Sequence, residues 1–422
     1  MHICFRMEPK LILVFLSIFL ISNSTLMFGT NNDYNFIIFG YVYMALSSLY
    51  LLIKHPCISL KKLQVTALMI SIITFTSLLN GDFPLSNFTV IFLIVNALLM
   101  TRYISFGEFV IYFDRILYIL TVISLIVTAL VIVNKSIFSV FPTLVNTQFE
   151  TYRNIIFCVV TDDSMDVFRN QSLFREPGVF QAYLSLGILF QFFVIEKKVI
   201  KKIIIYFIAI ATTLSTAGYI AAIVYLVYLL GDSKILRKRS KFIIICAMFV
   251  LIAYLFLFTS FLNTEAQGYN VFGKISSFTL IGHYSEIGGA AVARVASVVM
   301  NIHIALEHFF IGYGTSNVSA SYPQLSFSMY GVILTYSTET LFLQAARYGI
   351  VYFLFWVVGY YQLAKKISGK HPFRLLVTII SLFIILITES YIYNVLVYLL
   401  MFYGLFDDNV DRRGSLLIDE KS

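Results

Sequence analysis

The chain has 422 residues, of which 59% are hydrophobic and only 12% are charged, against about 25% charged in an ordinary soluble domain. A water-soluble fold of this length could not bury so much apolar surface, so the composition excludes a soluble globular protein. The net charge is +8, and the basic residues are split among short loops, which argues against nucleic-acid binding and favours contact with anionic lipid head groups.

The apolar residues come in blocks of about 16 to 22, the length that a helix needs to cross a hydrocarbon core. Backbone groups in lipid must be bonded internally, and strict apolar–polar alternation is missing, so the blocks indicate helices rather than a barrel. We therefore predict an all-α, polytopic bundle in which residues 1–422 form a single integral membrane domain. About a dozen spans are predicted, at 11–28, 35–53, 63–79, 86–100, 112–133, 179–195, 199–214, 217–231, 241–259, 340–361, 374–388 and 391–406.

Charge placement agrees with this map. Lysine and arginine are retained on the cytoplasmic side of membrane proteins. With the N-terminus inside, 22 of the 30 basic residues fall in predicted cytoplasmic segments or at the cytoplasmic ends of the spans, and six fall in outer segments. The asymmetry predicts that both termini are cytoplasmic.

Two predicted outer segments are long, 134–178 and 260–339. Long connections in compact proteins are usually functional, so we expect the active face on the extracytoplasmic side. The cytoplasmic loops are short and lack a glycine-rich phosphate cradle, which argues against a nucleotide-sugar or ATP-driven reaction.

The first long loop ends in a basic, polar stretch that contains Arg169, Arg175 and Glu176. The guanidinium group of arginine presents a fork of donors that suits phosphate oxygens. One interpretation is therefore a phosphate site, and the other is contact of Arg169 and Arg175 with lipid head groups. Glu176 could form a local ion pair with Arg175, and Pro177 is well placed for a helix start.

The second long loop predicts an amphipathic helix over 291–308, which we expect to lie along the outer surface. Its apolar residues recur at 295, 298, 299, 302, 306 and 309, and Arg294 lies near its start. Residues 311–314 are predicted to form a tight turn. No carboxylate–histidine spacing in this loop is typical of a metal site, so we assign no metal and no cofactor.

Glu339 opens the next span, and Arg347 lies about two turns further in. A charge at the bilayer centre costs about 2.5–3.5 kcal/mol on insertion scales, so it is retained when it is paired or functional. The two residues are predicted to share a helix face, linked through a third group or a bound phosphate. The alternative is that Arg347 pairs with a carboxylate elsewhere in the bundle. Glu389, in the turn between the last two spans, is a weaker candidate.

Three of these segments resemble the O-antigen polymerases (Wzy family) and, more distantly, the O-antigen ligases. Residues 174–182 (FREPGVFQA) resemble the family's F-x-x-P-N-x-x-A entry into a mid-chain span. Arg294, followed by 310–314 (FIGYG), resembles its R…P-h-x-G-x-G segment, where h is apolar. Residues 339–344 (ETLFLQ) with 348–350 (YGI) resemble H-N-x-Y-L-Q…x-G-I.

The resemblance implies a bacterial inner-membrane enzyme that transfers a growing glycan from one undecaprenyl-pyrophosphate carrier to the next lipid-linked repeat unit, with inversion at the anomeric carbon. It implies Arg294 and Glu339 as catalytic residues, with Glu339 as the base. It implies substrate binding by Arg169, Arg175, Glu176, Arg347 and Tyr313. The implied partners are lipid-linked oligosaccharides, membrane lipids and a chain-length regulator.

Two departures from the family pattern matter. Ligases carry His where Glu339 stands and Asn where Thr340 stands, which favours a polymerase here. Gly178 replaces the usual Asn after Pro177. Two alternatives stay open: a ligase that transfers the finished glycan to lipid A core, and a transporter of about twelve spans. The sequence shows no internal repeat of the kind that transporters usually carry.

Overall fold

The structure is a computed structural model that describes residues 8–22, 25, 34–54, 58–145, 151–155, 157–161, 168–195, 199–231, 289–331, 333–369 and 371–406. The predicted span at 241–259 and residues 260–288 of the second long loop lie outside the described residues. Within the described part the fold is mostly helical, as the sequence predicts.

The helices follow one another with short connections. In chain order they are α1 (Pro9–Val14, continued by a π-helix, Phe15–Leu20), α2 (Tyr34–Lys54), α3 (Leu60–Leu79), α4 (Leu85–Tyr103), α5 (Phe106–Asn134, followed by a 3₁₀ helix, Lys135–Val140), α6 (Pro177–Phe193), α7 (Ile200–Thr212), α8 (Thr216–Gly231), α9 (Gly289–Glu307), α10 (Thr315–Tyr330), α11 (Leu341–Ser368), α12 (Pro372–Thr388) and α13 (Val395–Leu405).

Apart from 241–259, each predicted span coincides with one of these helices, to within a few residues for most. In the described part, four helices are long and apolar enough to cross a membrane, namely α3, α4, α5 and α11. Six shorter apolar helices accompany them. The first helical segment ends at Leu20 rather than at the predicted residue 28.

A three-stranded antiparallel sheet, which the sequence did not predict, forms in the first long loop. Its strands are β1 (Thr143–Val145), β2 (Thr151–Ile155) and β3 (Cys158–Thr161), in the order β1-β2-β3. Val160 of β3 packs with Val127 and Val131 of α5 in a small separate core. The Val159 amide donates to the Ser172 carbonyl at 2.7 Å, which ties the sheet to the segment before α6.

The bundle core is centred on α13, whose residues from Val395 to Tyr403 are all buried. A helix buried on every side has no polar stripe, and the α13 sequence is accordingly apolar throughout. It lies against α11 and α4. A Cβ atom on Gly404 would stand 1.8 Å from the Gly359 carbonyl oxygen, so paired glycines allow the backbones of α13 and α11 to touch.

Helix α11 is broken at Gly349, whose φ of 80° and ψ of 178° leave the helical region. The interrupted backbone groups bond to the α9–α10 turn instead. The Tyr313 and Gly314 amides donate to the Ala346 and Arg347 carbonyls at 2.8 and 3.1 Å, and the Ile350 amide donates to the Phe309 carbonyl at 2.8 Å. Irregular backbone inside a membrane bundle requires such partners. The predicted turn at 311–314 therefore supplies hydrogen bonds to the backbone of α11 where that helix is interrupted.

Helix α9 confirms the predicted helix over 291–308, and its orientation is informative. Its buried face is mixed, with the apolar Met300 and Ile304 beside the polar Ser297 and Asn301, and it packs against α11. The apolar residues Val295, Val299 and Leu306 are exposed. Ser297 and Asn301 lie inward because their side chains bond to Thr338 and Glu339, while part of the apolar surface of α9 stays exposed.

Candidate functional site

Four charged residues meet at one end of the bundle, where α6 and α11 begin and α12 ends. Arg294 of α9 places Nη2 2.7 Å from Oε1 of Glu389, the residue directly after α12. The same Nη2 atom lies 3.8 Å from Oε2 of Glu176, and Arg175 Nε lies 3.9 Å from Glu176 Oε1. We name these four residues the arginine–glutamate cluster.

The cluster is closed on one side and open on the other. The Glu389 side chain is 4% exposed, whereas that of Glu176 is 50% exposed and that of Arg294 is 25% exposed. An anion arriving from the Glu176 side would therefore meet the Arg294 guanidinium before it reached Glu389.

Local sequence explains why the cluster forms at the start of α6. Pro177 occupies the first helical turn, where its missing N–H group removes no helical bond. A Cβ atom on Gly178 would stand 1.9 Å from Glu389 Oε1 and 3.3 Å from Arg294 Nη2. Glycine thus leaves room for a carboxylate against the first turn of α6, where the helix dipole favours negative charge.

Glu339 lies in a second, fully buried set of contacts. Its Oε2 atom accepts from the Phe342 amide at 2.9 Å and so caps the start of α11. Its Oε1 atom accepts from Asn301 Nδ2 of α9 at 2.5 Å, and the Tyr322 hydroxyl donates to Asn301 Oδ1 at 2.6 Å. The Glu339 carboxylate therefore joins α9, α10 and α11.

Thr340 connects this set to the arginine–glutamate cluster. Its hydroxyl donates to the Glu389 carbonyl at 2.7 Å and accepts from the Tyr391 amide at 2.7 Å. Its own amide donates to the Leu386 carbonyl at 2.9 Å. The backbone that carries Glu389 is consequently held by the residue next to Glu339.

Burial shapes the proton affinity of both carboxylates. Burial raises the pKa of Glu339 to about 7, against the opposing hydrogen bonds from Asn301 and the α11 amides. Burial also raises the pKa of Glu389, against the opposing charge of Arg294, and the nearby Glu176 carboxylate adds to the increase. Both groups therefore titrate nearer to neutral pH than an exposed glutamate does.

Arg347 stands apart from the cluster, inside α11. It is 7% exposed, and its Nε and Nη1 atoms have no hydrogen-bond partner among the described residues. Gln344, one turn earlier, is fully buried, and both of its amide atoms lack partners in the same part of the chain. The charge of Arg347 interacts with the hydroxyls of Tyr393, Tyr348 and Tyr398. Among the residues that the structure describes, Arg347 has no ion-paired carboxylate.

Two further sequence candidates are bonded elsewhere. Arg169 donates from Nε and Nη2 to the Thr213 and Leu214 carbonyls, at 3.2 and 3.3 Å, and so holds the turn between α7 and α8. Its charge still acts on Glu389 at longer range. The Tyr313 ring stacks on His308, with ring centres 4.0 Å apart, in the turn that meets the break in α11.

The structure thus brings together Arg175, Glu176 and Arg294 and places Glu339 close to them. It also gives Glu389, the weaker candidate from the sequence, a central position in the cluster. The sequence feature that indicated Glu389 was a single carboxylate in a short turn between two apolar blocks. The sequence did not identify Asn301, because a single amide side chain in an apolar helix gives no indication of its hydrogen-bond partner. The residues described contain no group of three or more His, Cys, Asp or Glu side chains that could hold a metal ion.

No protein-family model matches the chain, and no curated protein matches it at a significant level. The site offers a partly open guanidinium that can bind an anion and, behind it, a buried carboxylate that can accept a proton.

Proposed function

We propose that the chain is a surface-polysaccharide polymerase of the O-antigen type, an inverting glycosyltransferase that acts on undecaprenyl-pyrophosphate-linked repeat units. It would cross the bacterial inner membrane about a dozen times, with both termini cytoplasmic and the active face outside. The proposal rests on the resemblance of three segments to that family, and on one observation. Two of those segments, carrying Arg175 and Arg294, form a single cluster in space.

The chemistry of the cluster suits this reaction. The leaving group is a lipid pyrophosphate, whose charge grows as the glycosidic bond to phosphate breaks, and preorganised cationic donors stabilise such a charge. Arg294 is the half-open guanidinium of the cluster, and Arg175 lies beside it, 27% exposed. We propose that these two residues hold the pyrophosphate, with Glu176 orienting them.

The remaining candidates complete the proposed site. Arg347 is buried, and its Nε and Nη1 atoms lack hydrogen-bond partners among the described residues. It would contact a second anionic oxygen. Arg169 would act by its charge and Tyr313 by a sugar contact. The resemblance assigns the base to Glu339. A chain-length regulator and membrane lipids are the proposed partners, and the reaction needs no cofactor in this scheme.

The test is deletion of the gene in its own host, followed by a gel of the surface glycan. Loss of the ladder with a single core-linked repeat unit remaining supports the polymerase. Loss of all glycan-bearing bands, with polymer accumulating on its lipid carrier, indicates a ligase instead. An unchanged ladder contradicts both the polymerase and the ligase and favours the transporter alternative. Complementation with Arg294→Ala, beside the exposed-site control Glu307→Gln, shows whether the cluster is required.

A further inference from the structure

Glu339 and Glu389 differ in what their oxygens do. Both oxygens of Glu339 are occupied, by a backbone amide and by the Asn301 side chain. These bonds fix the start of α11 and use two of the roughly four lone-pair sites of the carboxylate, so Glu339 has a structural role besides any part in proton transfer. Glu389 instead meets one strong partner, the Arg294 guanidinium at 2.7 Å.

The groups that face Glu389 come from several elements. Arg294 approaches from α9, and Arg169, Arg175 and Glu176 approach from the segment before α6. Tyr391 follows on the same turn, and its hydroxyl has no hydrogen-bond partner among the described residues. Gly178 leaves the space that the carboxylate fills.

We propose that Glu389 is the general base of the transfer and that Arg294 controls it. In the resting state the guanidinium neutralises the carboxylate, as a buried charge requires. An anionic substrate then draws the Arg294 guanidinium toward its phosphate oxygens. The released carboxylate, buried and next to a pyrophosphate of like charge, becomes a stronger proton acceptor. This inference rests on the proposed function and moves the base from Glu339 to Glu389.

The step balances as follows. The acceptor hydroxyl gives its proton to a Glu389 carboxylate oxygen, while its oxygen forms a bond to the anomeric carbon. The bond from that carbon to the phosphate oxygen breaks, and its electron pair stays on the departing lipid pyrophosphate. Arg294, now bound to that group, stabilises the added charge. Glu389 later returns its proton to water.

Two readouts on the full-length protein in nanodiscs test the assignment: binding of inorganic pyrophosphate, and polymer formation from lipid-linked repeat units. In Glu389→Gln the amide oxygen still accepts from Arg294, but the base is gone. We expect a pyrophosphate Kd equal to or below the wild-type value, because the competing charge is removed. We expect turnover to fall about 10²- to 10⁴-fold, the usual contribution of a general base.

The pH profile separates a base from a positioning residue. Wild-type turnover should rise with pH through the titration of one group, and Glu389→Gln should remove that rise. Glu307→Gln changes an exposed residue of α9, the helix that carries Arg294, and should leave both readouts unchanged. Glu389→Asp, which retains a carboxylate, should keep the rise in turnover with pH and serves if the Gln variant does not fold.

Three outcomes overturn the assignment: turnover retained in Glu389→Gln, pyrophosphate binding and turnover lost together, or a pH profile unchanged by the substitution. A different result addresses the proposed function itself. If the wild-type protein makes no polymer and Arg294→Ala does not weaken pyrophosphate binding, the polymerase proposal fails whatever Glu389 does.

Discussion

The Cβ position of Gly178 lies 1.9 Å from Oε1 of Glu389, so a side chain at the start of α6 would require the carboxylate after α12 to move. This contact explains why the residue after Pro177 is a glycine. An asparagine there would displace the carboxylate that balances Arg294. In this chain the Glu389 carboxylate occupies that space.

Gly178→Ala should displace Glu389 from Arg294 because the contact involves a carboxylate confined on several sides. We expect a loss of about 1–3 kcal/mol in the free energy of unfolding, as for other overpacked sites, together with a large loss of turnover. Thermal unfolding in detergent measures the first effect. Gly40→Ala is the control, because a Cβ atom at Gly40 meets no atom within 4 Å. Equal behaviour of the two variants would contradict the proposed steric exclusion.

Arg294→Ala should be among the more destabilising changes at this end of the bundle. It would leave Glu389 buried without its ion-pair partner, and breaking a buried pair from one side typically costs about 3–5 kcal/mol. Glu389→Gln should be much milder because a neutral amide can remain buried beside Arg294. Unfolding of the two single variants and the double variant measures the coupling between them. Additive effects would show that the pair contributes nothing specific.

Glu339 should make stability depend on pH. Its folded-state pKa is about 7, above the usual value of 4.5, so the native state holds the proton over a range where the unfolded chain has lost it. The stabilisation from the protonated carboxyl is therefore complete below about pH 4.5 and is lost as the pH rises through 7. A shift of this size corresponds to about 3 kcal/mol. Unfolding curves of wild type and Glu339→Gln across this pH range measure the contribution of Glu339. If the stabilities of the two proteins changed with pH in parallel, the prediction would be contradicted.

The break in α11 should tolerate no side chain. A Cβ atom on Gly349 would stand 2.3 Å from the Phe310 carbonyl oxygen, and φ is +80° there. Gly349→Ala should therefore lose both the backbone bonds and the allowed conformation, with a cost on the order of 3 kcal/mol. Gly331→Ala is the matched control, since Gly331 has a similar φ of +69° and open space around it. If the two variants lose the same stability, strain alone explains the effect.

The helices were predictable because each apolar block has the length and composition of a span, and those properties are local. The cluster was only half predictable. Arg175 and Arg294 stand out as charges in the two long predicted loops, but Glu389, the ion-pair partner of Arg294, is 95 residues away in sequence. The break in α11 depends on Gly312 and Gly349 fitting each other's backbone, which no local pattern reveals. The orientation of α9 follows from Asn301 and Ser297 finding partners, again at long range.

Replacement of Arg347 is expected to affect stability in the opposite direction from replacement of Arg294. Its Nε and Nη1 atoms lack hydrogen-bond partners among the described residues, and a buried charge without an ion-paired carboxylate destabilises the protein that carries it. Arg347→Met, which keeps most of the side-chain volume, should leave the unfolding temperature unchanged or raise it, while turnover falls. Thermal unfolding and polymer formation are measured on the same preparation. A clear fall in the unfolding temperature would show that Arg347 stabilises the fold. A stable variant with full turnover would remove Arg347 from the proposed substrate contacts.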